Sequence, residues 1–182
     1  MNPDSRWLDG QGMTSLKQVG IHPDDHVLDF GCGEGMYTLP AAMLVGQDGM
    51  VYAVDRDHKK LEALAGHLER YDLSNVVLVE TAGSLSLSFD TGSMDTVLVY
   101  DVLHSDFFAR RERVRLLCEA ARVLSPDGLL SIFPRHMDPD NAVHAAEQAG
   151  FTLDRHVTTM LHHNHVLVED TVLNFRKEQQ QG

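Results

Sequence analysis

The sequence predicts an α/β fold, a doubly wound and mostly parallel sheet with helices on both faces, on three observations. Short β-branched or aliphatic runs alternate with longer stretches of helical periodicity. The short runs are almost continuously apolar, as in strands buried on both faces. A glycine-rich loop follows the first run and leads into a helix.

The strands are expected at His26–Phe30, Met50–Asp55, Val76–Glu80, Thr96–Tyr100 and Leu129–Phe133. Helices are expected at Met13–Val19, about Met36–Val45, His58–Tyr71, Ala109–Leu124 and Pro139–Ala149. In the third helix Leu61, Leu64, Ala65 and Leu68 form one apolar stripe, with Lys59, Lys60, Glu62 and Glu69 off it. Pro40 has no N–H to donate, so it forfeits a backbone bond in the second helix unless it lies within about the first turn, which leaves that helix's start open to a later position than Met36. Gly46, Gly128 and Gly150 follow or trail helix ends, where a left-handed residue ends a helix easily, and Ser125-Pro126-Asp127-Gly128 reads as a turn. Beyond Gly150 come two extended segments, Phe151–Met160 and His165–Arg176, with no helix between them, so they run antiparallel.

A chain of 182 residues with 43% hydrophobic and 23% charged residues is expected to form one domain. No apolar run reaches the ~18 residues of a membrane span. The N-terminus has charged Asp4, Arg6 and Asp9 in place of an apolar stretch, and the cytoplasm is the expected location. Cys32 and Cys118 are too few for a disulfide framework or a structural zinc set. A net charge of −12 repels phosphate backbones and anionic lipid, so neither nucleic acid nor membrane is an expected partner. The cluster Arg110-Arg111-Glu112-Arg113-Val114-Arg115 reads as a solvated helix face. Oligomeric state is not readable from the sequence.

The loop Asp29-Phe30-Gly31-Cys32-Gly33-Glu34-Gly35 lets backbone N–H groups approach a polar ligand closely. Asp55 closes the next strand 20 residues past Gly35, where a carboxylate can accept from both hydroxyls of a ribose. A dinucleotide fingerprint needs glycine or alanine at position 36, and Met36 stands there.

Val27 to Gly35 resembles the first motif of class I S-adenosylmethionine-dependent methyltransferases. Val51 to Arg56 is similar to their second-strand motif, Ser93 to Asp101 to the fourth and Arg122 to Leu130 to the entry of the fifth. The likeness runs in order from about Met13 to Arg176 and is nearest the small-molecule branch related to ubiquinone biosynthesis. It implies a Rossmann-like seven-stranded sheet with an antiparallel C-terminal strand, S-adenosylmethionine as cofactor and a small-molecule methyl acceptor as partner. It also implies that Asp29, Gly31, Cys32, Gly33 and Gly35 hold the methionine end, Asp55 the ribose and Arg56 the adenine side, with Tyr100 in the cofactor-binding set. Where the family often carries an acid for the adenine amino group, this chain has Gly83-Ser84.

Methyl transfer needs alignment and water exclusion, with a base only for a protonated acceptor. His104, just past the fourth strand, is the candidate base, and Tyr37 and Asp101 are candidate acceptor contacts. In an extended strand His163 and His165 of His162-His163-x-His165 would share a face, but no cysteine is near. That trio is expected to be a polar loop or an acceptor-pocket lining, with no metal. A cofactor-binding subunit without transfer activity and a protein methyltransferase docking through Arg110 to Arg115 are the alternative readings.

Overall fold

A computed structural model describes residues 2–81, 83, 85–104 and 108–178. Its strands are β1 His26–Phe30, β2 Met50–Asp55, β3 Val76–Glu80, β4 Met94–Tyr100, β5 Leu124–Phe133, β6 Phe151–His163 and β7 Val166–Lys177. Its helices are α1 Pro3–Arg6, α2 Gly12–Val19, α3 Thr38–Val45, α4 His58–Arg70, α5 Arg110–Val123 and α6 Pro139–Gln148. The strands form one seven-stranded sheet in the order β3-β2-β1-β4-β5-β7-β6. All pairs from β3 to β5 are parallel, and β7 is antiparallel to both β5 and β6.

Alternation along the central strands divides the core into two layers. Leu28, Phe30, Val97, Val99, Leu130 and Ile132 face α5 and α6. Val27, Leu98, Tyr100, Leu129 and Phe133 face the other way, onto Leu16 and Val19 of α2 and Ala41 and Val45 of α3. Each fully buried Leu, Val or Ile contributes about 1.5–3 kcal/mol, which makes the two layers the main source of stability.

Several boundaries differ from the sequence expectation. Helix α3 begins at Thr38, which puts Pro40 in its first turn, where the missing N–H costs little. Strand β5 begins at Leu124 because Leu124 pairs with Met94, and a register shift absorbs the Ser125–Gly128 stretch. Gly128 is consequently not left-handed, whereas Gly46 and Gly150 are, at φ 74° and 85°.

The N-terminal segment departs most. Helix begins at Pro3, passes through a wider turn at Trp7–Gln11 kinked at Gly10 (φ 128°), and continues into α2. Trp7 is fully buried there, its Nε1 donating to Met36 O at 2.5 Å, with its ring edge-on to Tyr37. No apolar periodicity marks residues 3–6. Their helix is held by the Asn2 cap and by contacts with the far end of the chain.

Candidate functional site

The sheet order reverses between β1 and β4, whose carboxyl ends therefore diverge and leave a crevice. The glycine loop forms one lip. Gly31 and Cys32 both donate to Val54 O, at 2.7 and 3.0 Å, which straps the loop to β2. The three glycines have φ of 77°, 55° and 89°, but they meet different demands. A Cβ on Gly31 would lie 2.5 Å from Val102 Cγ2, and one on Gly35 would enter the Leu64 side chain. At Gly33 nothing lies within 4 Å, so bare backbone there faces open space.

Asp55 stands beside that opening. Its Oδ2 accepts from Gly33 N and its Oδ1 from Asp57 N, both at 2.9 Å. The cleft in front of it has a volume of about 220 Å³. Gly31, Asp55, Arg56, Gly83 and Asp101 line it, joined by apolar Val54, Leu85, Val102 and Phe108. The segment carrying Leu85 is supported from α5: Arg122 donates to Leu87 O and Phe89 O at 2.8 Å, while Glu119 accepts from Leu87 N at 3.0 Å. Ser84, expected beside Gly83, lies outside the described residues.

Other expected site residues stand behind the cleft wall. Asp29 is buried and its Oδ2 accepts from Thr38 Oγ1 at 2.6 Å. Burial pushes its carboxyl up to about 6, the Thr38 bond opposes this, and the Asp55 charge adds to it. Cys32 packs with Leu61 and Leu64, and burial raises its thiol far above the usual range, so it is an inert core residue. Tyr100 is buried with its hydroxyl 2.9 Å from Ser131 Oγ. Tyr37 packs edge-on to Tyr100, and its hydroxyl donates to His162 O at 2.8 Å. Burial raises both phenols, so neither is an acid or base near neutral pH.

The opposite lip holds a cluster that sequence reasoning does not assemble. Asp101 leaves β4 with φ 58°, a sparsely populated conformation for a non-glycine residue. Its Oδ2 lies 3.1 Å from His163 Nδ1 and its Oδ1 3.5 Å from His136 Nε2. The His136 ring stands 5.6 Å from the His104 ring and 5.0 Å from the His163 ring. Burial lowers the His163 imidazole, against the opposing pull of Asp101. His136 follows β5 as His104 follows β4, so the rule that selects His104 also finds it.

His163 and His165 do not share a face. Asn164 and His165 form a two-residue turn with φ of 47° and 61°, so β6 ends at His163 and its last two residues point to opposite sides. His162 and His165 instead converge on Asp4, at 2.6 Å to Oδ1 and 3.0 Å to Oδ2. The His162 hydrogen bond, foremost, holds the Asp4 carboxyl below its usual value.

Residues 27–128 match the methyltransferase domain family. The protein named "Probable cobalt-precorrin-6B C(15)-methyltransferase (decarboxylating)" of Saccharolobus solfataricus is 27% identical over 140 residues, covering 75% of this chain and 66% of that one. The demethylmenaquinone methyltransferase of Symbiobacterium thermophilum is 29% identical over 113 residues, covering 62% and 43%. The chain thus spans less than two thirds of the length of these curated relatives. The solved structure of a SAM-dependent methyltransferase from Aquifex aeolicus has the same fold, with a TM-score of 0.72 at 20% identity over 94% of this chain and 90% of that one. No helix among the described residues is long and apolar enough to cross a membrane.

Proposed function

The chain belongs to the class I S-adenosylmethionine-dependent methyltransferase family, and from that premise we propose that it transfers a methyl group to a small-molecule acceptor. S-adenosylmethionine is the cofactor that goes with the family, and it supplies a methyl carbon activated by a sulfonium. The observation that carries the reading is the open backbone at Gly33 beside the Asp55 carboxylate, at the point where the strand order reverses. A carboxylate with two acceptor oxygens suits vicinal ribose hydroxyls. The apolar lining of Val54, Leu85 and Phe108 suits a purine.

In this reading Asp55 holds the ribose, Arg56 and Gly83-Ser84 flank the adenine, and the glycine loop backed by Asp29 takes the methionine end. Tyr100 supports the loop's surroundings from the core, and Cys32 acts by packing. When bound, the cofactor would supply its methyl carbon to an acceptor lone pair, with the electrons of the broken carbon–sulfur bond staying on sulfur. The chain's part is alignment and exclusion of water. The acceptor enters along the lip of Asp101 and His104, with Tyr37 behind it. A single cytoplasmic domain without nucleic acid or membrane partners goes with this reading.

Calorimetry with S-adenosylhomocysteine, followed by a screen of hydroxyl, amine, thiol and quinol acceptors for S-adenosylhomocysteine formation, tests it. Binding with turnover supports the proposal. Tight binding without turnover on any acceptor class points to a cofactor-binding subunit, and a nicotinamide or flavin dinucleotide binding in place of S-adenosylhomocysteine overturns the reading.

A further inference from the structure

We propose that Asp101, His136 and His163 form a binding site for a divalent transition metal ion of the zinc class, with an open coordination position facing the cofactor cleft. The three residues come from the carboxyl ends of three strands, β4, β5 and β6, and offer one carboxylate oxygen and two imidazole nitrogens. Their donor atoms lie within 4.8 Å of one another, with His163 Nδ1 3.1 Å from Asp101 Oδ2 and His136 Nε2 3.5 Å from the other oxygen, Oδ1. Donors bound at ~2.0–2.2 Å around a tetrahedral ion stand roughly 3.3–3.5 Å apart, so small side-chain adjustments close the site. Two imidazoles and one carboxylate suit zinc, cobalt(II) or iron(II), and leave a vacancy for a fourth ligand.

Two features of the cluster itself point to a ligand. Asp101 Oδ1 is buried and accepts no hydrogen bond among the described residues, with His136 Nε2 3.5 Å away, and a buried carboxylate oxygen without a hydrogen bond is costly. Asp101 also leaves β4 in a left-handed backbone conformation, and local strain of this kind persists where the surroundings enforce it. His163 has a partner for its other nitrogen: Asn164 Nδ2 lies 2.9 Å from Nε2. Turning that amide by half a rotation presents its carbonyl to an Nε2–H, which leaves Nδ1 bare toward Asp101.

The second histidine cluster makes a poorer site. Asp4 already uses one oxygen for His162 and the other for His165, both in hydrogen bonds, and no donor there lines the cleft. Asp101 lines the cleft, and it is the member of the proposed trio through which the site meets it, since His136 and His163 are not among the lining residues. The ion's role, which rests on the methyltransferase reading, is to ligate an acceptor hydroxyl or thiol and let it ionise at neutral pH. The proton leaves to solvent, and the oxygen or sulfur lone pair is then available to the methyl carbon. A metal lowers the pKa of bound water from about 15.7 to about 7, and the same charge acidifies a ligated hydroxyl or thiol.

The test uses untagged, chelator-stripped protein titrated with Zn²⁺ by calorimetry and with Co²⁺ by visible absorption. One ion per chain is expected, with the intense bands of four-coordinate cobalt. His136→Ala, at an exposed side chain and so safe for folding, is expected to weaken zinc by more than ~10-fold, and Asp101→Asn likewise. His165→Ala is expected to leave zinc affinity unchanged. The inference is overturned if no ion binds, if His136→Ala and Asp101→Asn bind as wild type does, or if His165→Ala is the variant that loses it. S-adenosylhomocysteine affinity is measured in parallel: zinc binding without it leaves the ion site standing and removes the methyltransferase reading.

Discussion

The two lips of the cleft are built by different means. The β1–β2 lip is a contiguous stretch of chain whose shape is set by backbone: three left-handed glycines, a strap onto Val54 and one acid at a strand end. The β4–β6 lip is assembled from side chains far apart in sequence, with Asp101, His136 and His163 meeting across the sheet and Trp7 and Asp4 closing in from the N-terminus. A ligand common to many proteins can be held by backbone, since its shape does not vary. An acceptor particular to one protein has to be read by side chains, and these can come from anywhere in the fold.

The largest effect that would break this contrast is expected at Trp7. Trp7→Ala removes a fully buried ring that joins the two lips, and it should cost about 3–5 kcal/mol, a drop on the order of 10 °C in Tm. A thermal melt within 2 °C or so of wild type would mean that the N-terminal segment is not integral to the fold.

Asp29 gives the next largest effect, and its sign is unusual for an acid. Its carboxyl titrates at about 6 in the fold, against 3.8 for a free aspartate side chain. Between those values the folded state holds more protons than the unfolded chain, so stability falls as pH rises through the window and stays lower above it. Asp29→Asn removes a pH-dependent cost on the order of 3 kcal/mol. Urea unfolding should show the variant gaining on wild type from about pH 4 to about pH 7. A pH-independent difference would show that Asp29 is not protonated by its burial.

Asp55→Ala should raise the Kd for S-adenosylhomocysteine about 10–100-fold, the equivalent of charged hydrogen bonds worth about 1.5–3 kcal/mol. An unchanged isotherm would take the ribose role away from it. Arg122→Ala should loosen the support under Leu85 by about 1 kcal/mol, seen as faster amide exchange at Leu87 with the sheet core unaltered. Smallest is His165→Ala: its side chain is 78% exposed, so loss of the Asp4 contact should change stability by less than about 0.5 kcal/mol. A larger loss would mean that the N-terminal helix is latched mainly from the hairpin turn.

The β1–β2 lip is legible in the sequence because its determinants lie close together along the chain. The run Val27–Phe30, the spacing of Gly31, Gly33 and Gly35, and Asp55 at the next strand end each carry their meaning locally. The other lip is legible only in part. Asp101 and His104 follow from the rule about strand ends, and His136 satisfies the same rule. Asp4 and Trp7 carry no local signal, because neither the four-residue helix nor the wider turn after it is long enough to show a periodicity. Strand alternation alone puts His163 and His165 on one face, because the two-residue turn that separates them needs left-handed backbone at Asn164 and His165, and neither is a glycine.

By itself the sequence determined the alternation of strands and helices, the parallel sheet with its antiparallel end, and the glycine lip with its acid, since hydrophobic periodicity and backbone freedom are properties of neighbours along the chain. Tertiary structure alone decided which histidines meet which carboxylate, because those pairs are separated by 35 and 62 residues at Asp101 and by 158 and 161 at Asp4, and only sheet order and the hairpin turn bring them within 4 Å.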